Sequence, residues 1–195
     1  MTSRRSGASA AKEAPSGGRK PEQSSTVTPA SAGVAVDSPL LVGLSPIIDD
    51  NIETLVLGSF PSPASLAAKQ YYAHRQNQFW RVMAATLGEP LVEAEYTEKQ
   101  RCLLRHHIGV WDVYRTCQRE GALDSAIEAA EPNDFSTLAR RAPRLRRIVF
   151  NGQMSGKFER IFTKLGYDTC VMPSTSPAYT LAFEHKLAKW RERLR

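Results

Sequence analysis

The densest run of chemically useful side chains is Tyr71-Tyr72-Ala73-His74-Arg75-Gln76-Asn77-Gln78-Phe79-Trp80, where aromatic, amide and cationic groups crowd together. Aromatic rings can stack on an unpaired base, and His74 and Arg75 are suited to phosphate. Phe79 and Trp80 also suit the buried face of a helix, and for Trp80 the core is the favoured place. Asn77 has two readings, a helix cap or a polar group in a site. A second stretch, Gly58-Ser59-Phe60-Pro61-Ser62 with Ser65 beyond it, joins glycine to hydroxyls. Glycine lets backbone approach a ligand closely, and a following helix start can hold an anion, although an ordinary strand-to-helix turn looks the same. It lacks the Gly-Lys-Ser/Thr of a Walker loop and the Gly-x-Ser-x-Gly of a nucleophile elbow. A third stretch, Pro173-Ser174-Thr175-Ser176-Pro177, offers hydroxyls for phosphate and rigidity for wedging into a duplex, or simply a capped loop.

Such groups act only if regular elements hold them, and the apolar pattern supplies the elements. Thr54 to Gly58 reads as a buried strand closed by glycine. Pro63 to Ala73 reads as a helix with proline in its first turn. A second helix, opened by Asn77, carries Phe79, Trp80, Val82, Met83 and Leu87. Thr97-Glu98-Lys99-Gln100 resembles a capping box, and His106 and His107 fall where that helix ends, before Gly109. Val110 to Tyr114 is a second strand, and one or two helices are expected within Asp124 to Arg141, with Asp124 and Ser125 as caps. Asp112, after Trp111, could position a partner in a pocket or cap the following turn, and the structural role is expected. Arg147 to Phe150, a helix from Gln153 to Leu165, a strand from Asp168 to Met172 and a basic helix complete the pattern. Alternation of strand and helix implies an α/β fold, a mainly parallel sheet covered on both faces, with ligand at the carboxyl ends of its strands. The Gly58 turn, Asn151-Gly152 and the Pro173 loop all fall at those ends.

Composition narrows the class. The chain has 195 residues, 42% of them hydrophobic, with 26 Lys and Arg against 20 Asp and Glu, a net charge of +6. That supports one ordinary core and mildly favours an anionic partner. Cys102, Cys117 and Cys170 are odd in number and widely spaced, which argues against a disulfide scaffold, a zinc ribbon or an iron–sulfur cluster and fits a reducing cytoplasm. No His/Cys/Asp set has ligand spacing in the sequence, so neither metal nor other cofactor is expected. No apolar run approaches the ~20 residues of a membrane span. Residues 1–39, rich in Ser, Ala, Gly and Pro with Arg4, Arg5, Arg19 and Lys20, are expected to form a disordered tail before a folded domain over 40–195.

Taken together, the motifs resemble the uracil-DNA glycosylase superfamily, and within it the hypoxanthine-DNA (deoxyinosine) glycosylase branch. The blocks carrying the resemblance are Gly58–Ser62 with Ser65, Gln70–His74 with Asn77–Trp80, Trp111–Val113, Gly121–Ser125, Phe150–Gly152 and Pro173–Pro177. They span roughly residues 40–190. The resemblance implies a three-layer sandwich around a central, mainly parallel four-stranded sheet. It also implies a monofunctional enzyme that excises deaminated bases from DNA, hypoxanthine first, without a cofactor, as a monomer acting on a flipped base. Most branches carry a polar residue in the first motif to position water; Phe60 stands there and cannot do so. The resemblance moves that role to Asn77 as the catalytic residue. It places Gly58, Ser59, Phe60, Tyr72, Phe79 and Asn151 around the base. Ser62, Ser65, His74 and Arg75 would contact DNA, as would Pro173, Ser174, Thr175, Ser176 and Pro177. Two departures touch the details: Arg75-Gln76 stands where proline and a polar residue are expected, and Ser62 where glycine is common.

Breaking a nucleoside bond produces a sugar cation and a base anion, so an oriented water and hydrogen bonds to the departing base are what a site must provide. An asparagine amide is no base at neutral pH, but its carbonyl can align water. Asn151 could donate to the hypoxanthine carbonyl and accept from its N–H, or it could be the left-handed residue of an Asn-Gly turn. Two other readings stay open, a uracil-preferring enzyme and a nucleic-acid-binding module without catalysis. A lyase would need an amine, and Lys69, the one lysine in the motif blocks, is expected to face outward.

Overall fold

The structure, a computed structural model, describes residues 39–194. Apart from Pro39, the expected tail lies outside the described residues. Strands β1 (Leu40–Val42) and β2 (Thr54–Gly58) are followed by helices α1 (Pro63–Ala68), α2 (Phe79–Leu87) and α3 (Tyr96–Arg105). Strands β3 (Ile108–Asp112), β4 (Tyr114–Arg119) and β5 (Ile127–Pro132) come next, with a 3₁₀ turn at Asp124–Ala126. The chain then runs through α4 (Leu138–Arg141), β6 (Arg147–Asn151), α5 (Gln153–Gly156), α6 (Glu159–Lys164), β7 (Asp168–Met172) and α7 (Phe183–Leu194).

Four strands form a parallel sheet in the order β3-β2-β6-β7. Its side chains alternate between two cores, as a strand's period of two requires. Val56, Val110 and Val149 face a cluster with Phe79, Trp80, Met83, Leu103 and Trp190 from α2, α3 and α7. Leu55, Leu57, Ile148 and Phe150 face the other, with Leu138 and Phe162 from α4 and α6. Both faces are covered, and the expected α/β sandwich is the observed one.

Four expectations differ from the structure. A second sheet, antiparallel and ordered β1-β4-β5, takes up residues expected to be coil or helix. Ile127–Pro132 pairs along β4 as a strand, because pairing with an open edge outweighs the helical propensity of Glu-Ala-Ala-Glu. The helix from Pro63 stops at Ala68, where Lys69 turns left-handed at φ 52° and frees Gln70–Gln78 as a loop. The helix expected from Gln153 to Leu165 breaks into α5 and α6. The capping box also fails to form, since α3 begins one residue earlier at Tyr96 with no side-chain cap.

Candidate active site

At the carboxyl ends of the parallel strands lies a cavity of about 300 Å³, within the range typical of small-ligand sites. Its floor is built from strand ends: Gly58 closes β2, Asp112 closes β3 and Asn151 closes β6. The walls come from three segments: Ser59, Phe60, Pro61, Ser62 and Ser65 after β2, Tyr71, Tyr72 and Asn77 before α2, and Ser174, Thr175 and Ser176 after β7. Asp124 and Tyr179 also line the cavity, with Ala122, Leu123 and Ala178.

The sequence singled out most of this lining, and the structure brings Gly58, Ser59, Phe60, Ser62, Tyr72, Asn77 and Asn151 to one cavity. Asn77 stands one residue before Gln78, the N-cap of α2. Its Oδ1 accepts the Phe79 N–H at 3.0 Å, which caps α2, and the side chain still lines the cavity with a second lone pair. Phe60 is buried against the cavity, with the Arg119 guanidinium 5.4 Å from its ring centre.

Other expected contacts are displaced. Phe79 is 0% exposed and does not line the cavity; it stacks beneath Tyr72 at 3.8 Å between ring centres, so it supports the tyrosine and cannot reach a base. Thr175, expected to meet DNA, is 0% exposed. Its hydroxyl accepts Asn151 Nδ2 at 2.9 Å, its N–H donates to Asn151 Oδ1 at 2.9 Å, and its carbonyl accepts the Gln78 N–H at 2.9 Å. Ser65 is likewise buried, hydrogen-bonding Ser62 Oγ at 3.1 Å and accepting the Ala73 N–H at 3.2 Å, so it shapes the loop and is closed to DNA. His74 and Arg75 line a shallower groove with Ala64, Ala73 and Gln76. Pro173 and Pro177 flank the cavity loop without lining the cavity; the Pro173 carbonyl accepts Trp190 Nε1 at 3.0 Å. That loop can press against β6 because Gly152, at φ 100°, has no side chain; a Cβ there would sit 2.9 Å from Ser174 Cβ.

Two carboxyl groups expected to be structural line the cavity instead. Asp112, expected to be structural, points into the cavity at 4% exposure. Burial, reinforced by the charge of Asp124 and partly offset by Arg119, pushes its pKa up to about 8. Asp124 caps no helix; it accepts Ser59 Oγ at 2.7 Å, and burial raises its pKa despite that bond and Arg119. Arg119 donates to the Pro61 carbonyl at 2.6 Å and is itself buried. The available signal was that Asp112 and Asp124 both stand in blocks that carry the resemblance, Trp111–Val113 and Gly121–Ser125. Away from the cavity, Glu89, Cys102 and His106 bring ligand-type atoms within 4.8 Å of one another, the His106–Glu89 pair at 3.0 Å. Spacing along the chain hides this cluster because Glu89 comes from beyond α2.

Comparison with known proteins agrees with this geometry. The family model of the uracil DNA glycosylase superfamily matches residues 45–195. A hypoxanthine DNA glycosylase of Methanosarcina barkeri is 39% identical over 150 residues, 77% of this chain and 95% of that protein. A hypoxanthine DNA glycosylase of Methanosarcina acetivorans is 40% identical over 148 residues, 76% of this chain and 94% of that protein. The solution structure of a Methanosarcina acetivorans protein assigned to the uracil DNA glycosylases superposes with a TM-score of 0.74 at 38% identity, covering 80% of this chain and 98% of that one. With its cavity at the strand ends and its motifs around that cavity, the chain belongs to the uracil DNA glycosylase superfamily.

Proposed function

We propose that the protein is a monofunctional DNA glycosylase that hydrolyses the N-glycosidic bond of deaminated bases, hypoxanthine first, in base excision repair. The observation carrying this reading is that Asn77 and Phe60 line one cavity. The phenyl ring at the first-motif position cannot hold water, and the Asn77 carboxamide in the same cavity can. The relatives named hypoxanthine DNA glycosylases, about 40% identical, support the same base.

In this mechanism the protein acts as a monomer, and a single base, flipped from DNA, enters the cavity that Phe60 and Tyr72 line. Asn77 Oδ1 keeps one lone pair on the Phe79 N–H and uses the other to align a water toward C1′. Asn151 contributes less than the two-point reading expected of it. The distal edge of its amide is already taken by Thr175, leaving one N–H and one lone pair that point apart. Ser62, Ser174 and Ser176 stand at the cavity, and His74 and Arg75 in the adjoining groove, to meet the phosphate backbone. Among the described residues no helix is long and apolar enough to cross a membrane.

The deciding experiment incubates the protein with duplexes carrying inosine, uracil or xanthine, with and without chelator, and then cleaves abasic sites with alkali. Scission at inosine, fastest of the three and unaffected by chelator, is the expected result. Faster scission at uracil reassigns the substrate, and none at any base leaves a binding module.

A further inference from the structure

We propose that the carboxyl of Asp112, in its protonated form, touches the flipped base and passes its proton to N7 of hypoxanthine as the glycosidic bond breaks. This rests on the hypoxanthine reading and adds the acid to it.

The geometry begins with Gly58. It pairs with Asp112 across the ends of β2 and β3, and a Cβ at position 58 would collide with Asp112 Oδ1 and lie 3.3 Å from the Tyr72 hydroxyl. The glycine therefore makes the room in which the carboxyl and the phenol face the cavity. Among the described residues, Asp112 Oδ2 is buried without a hydrogen-bond partner, and the Tyr72 hydroxyl beside it interacts with the Asn151 amide. An unpaired polar atom inside a protein is costly, and at the wall of a binding cavity a ligand is the natural partner.

The charged and titratable groups around Asp112 come from several elements. Asp124 lies on the 3₁₀ turn and Arg119 on β4, while Tyr71 and Tyr72 come from the loop before α2, and Tyr96 begins α3. Burial and the Asp124 charge oppose ionisation and Arg119 favours it, the former prevailing. At neutral pH Asp112 is then a carboxylic acid with an O–H to donate.

Hypoxanthine needs such a donor. As the C1′–N9 bond breaks, its electron pair moves into the base, and N7 is the basic ring nitrogen able to take a proton. The Asp112 proton goes to N7 and the base leaves neutral. The water held at Asn77 adds its oxygen to C1′ and releases a proton, which returns to the Asp112 carboxylate through solvent. One water is consumed and one hypoxanthine released.

The test compares wild type and Asp112→Asn in single-turnover excision of inosine and 7-deazainosine from the same duplex across pH 6 to 10. The amide keeps the shape and a donor but has no acidic proton. Asp112→Asn is expected to slow inosine release by about 10²–10³-fold, in the range of general acid catalysis. The wild-type rate should fall as pH rises through the ionisation of Asp112, and the variant should lack that limb. Replacing N7 by carbon should slow the wild type strongly and the variant little further. This last arm tests the contact from the substrate side, independently of the variant's folding, and thermal melting at pH 6 reports any structural loss. A variant within threefold of wild type on inosine overturns the proposal, as does a wild-type rate that rises with pH through the same window. Equal loss on N7 replacement in both proteins overturns it too. Wild type that releases no hypoxanthine overturns the reading of function itself, a different outcome from all of these.

Discussion

Asn151 and Thr175 hold each other by two reciprocal hydrogen bonds, Nδ2 to Oγ1 and backbone N–H to Oδ1, each 2.9 Å. The backbone N–H can only donate, so the amide orientation is fixed: Oδ1 must face it. Because Thr175 also accepts the Gln78 N–H, the pair ties β6 to the start of α2, beside Asn77. Thr175→Val keeps the shape and the backbone donor but leaves Asn151 Nδ2 without its acceptor. The expected cost is ~1–3 kcal/mol, read from chemical denaturation. The rate of base release should fall as well, because the amide loses its fixed direction. Unchanged stability and rate would show the pair to be incidental.

Asn77→Ala should slow single-turnover excision about a hundredfold, the ~3 kcal/mol that one orienting group supplies. It also removes the bond to the Phe79 N–H, worth only ~1 kcal/mol. Asn77→Ser separates the two effects, since serine caps helices well but offers no carboxamide. Near-native melting with slow chemistry is expected for Asn77→Ser, and full activity in that variant would reduce Asn77 to a cap.

Gly58→Ala places a methyl group against Asp112 Oδ1 and close to the Tyr72 hydroxyl. Overpacking of this kind costs ~1–3 kcal/mol. Excision should suffer more than stability, since the displaced groups face the cavity. DNA binding, measured by anisotropy, should change little.

Asp112 also makes stability depend on pH. Its folded pKa of about 8 lies above the ordinary aspartate value of 3.8. Between those values the unfolded chain loses this proton and the folded protein keeps it. Its contribution is complete below the unfolded pKa and is lost as pH rises toward about 8. Asp112→Asn should therefore gain stability relative to wild type from pH 4 to 8, and hold a constant difference above that. Melting curves across this range check the sign.

Binding to duplex DNA should weaken with salt at a log–log slope of roughly −3 to −5, the mark of about three to five neutralised phosphates. His74→Ala with Arg75→Ala should make that slope shallower by about one to two while leaving single-turnover chemistry at saturating protein near wild type. An unchanged slope would remove the groove beside the cavity from the DNA interface.

Local signals determined much of this protein. Thr54–Gly58, Arg147–Asn151 and Asp168–Met172 are apolar runs bounded by turn residues, and burial on both faces leaves little choice but a parallel sheet. Gly58, Asn77 and Asn151 were legible as site residues because they stand at the ends of those runs or in an aromatic-rich segment unlike an ordinary loop. Tertiary structure alone decided the rest. Ile127–Pro132 became a strand because β4 offered an edge, and nothing within that segment encodes its neighbour. Thr175 and Asn151 are separated by α5, α6 and β7, so no local pattern could show that one occupies the polar edge of the other. Asp112 reads as one residue of the strand Val110 to Tyr114 until β2 sets Gly58 beside it and the fold withdraws it from water; its chemistry is set by burial and by Asp124, which belong to the folded state alone.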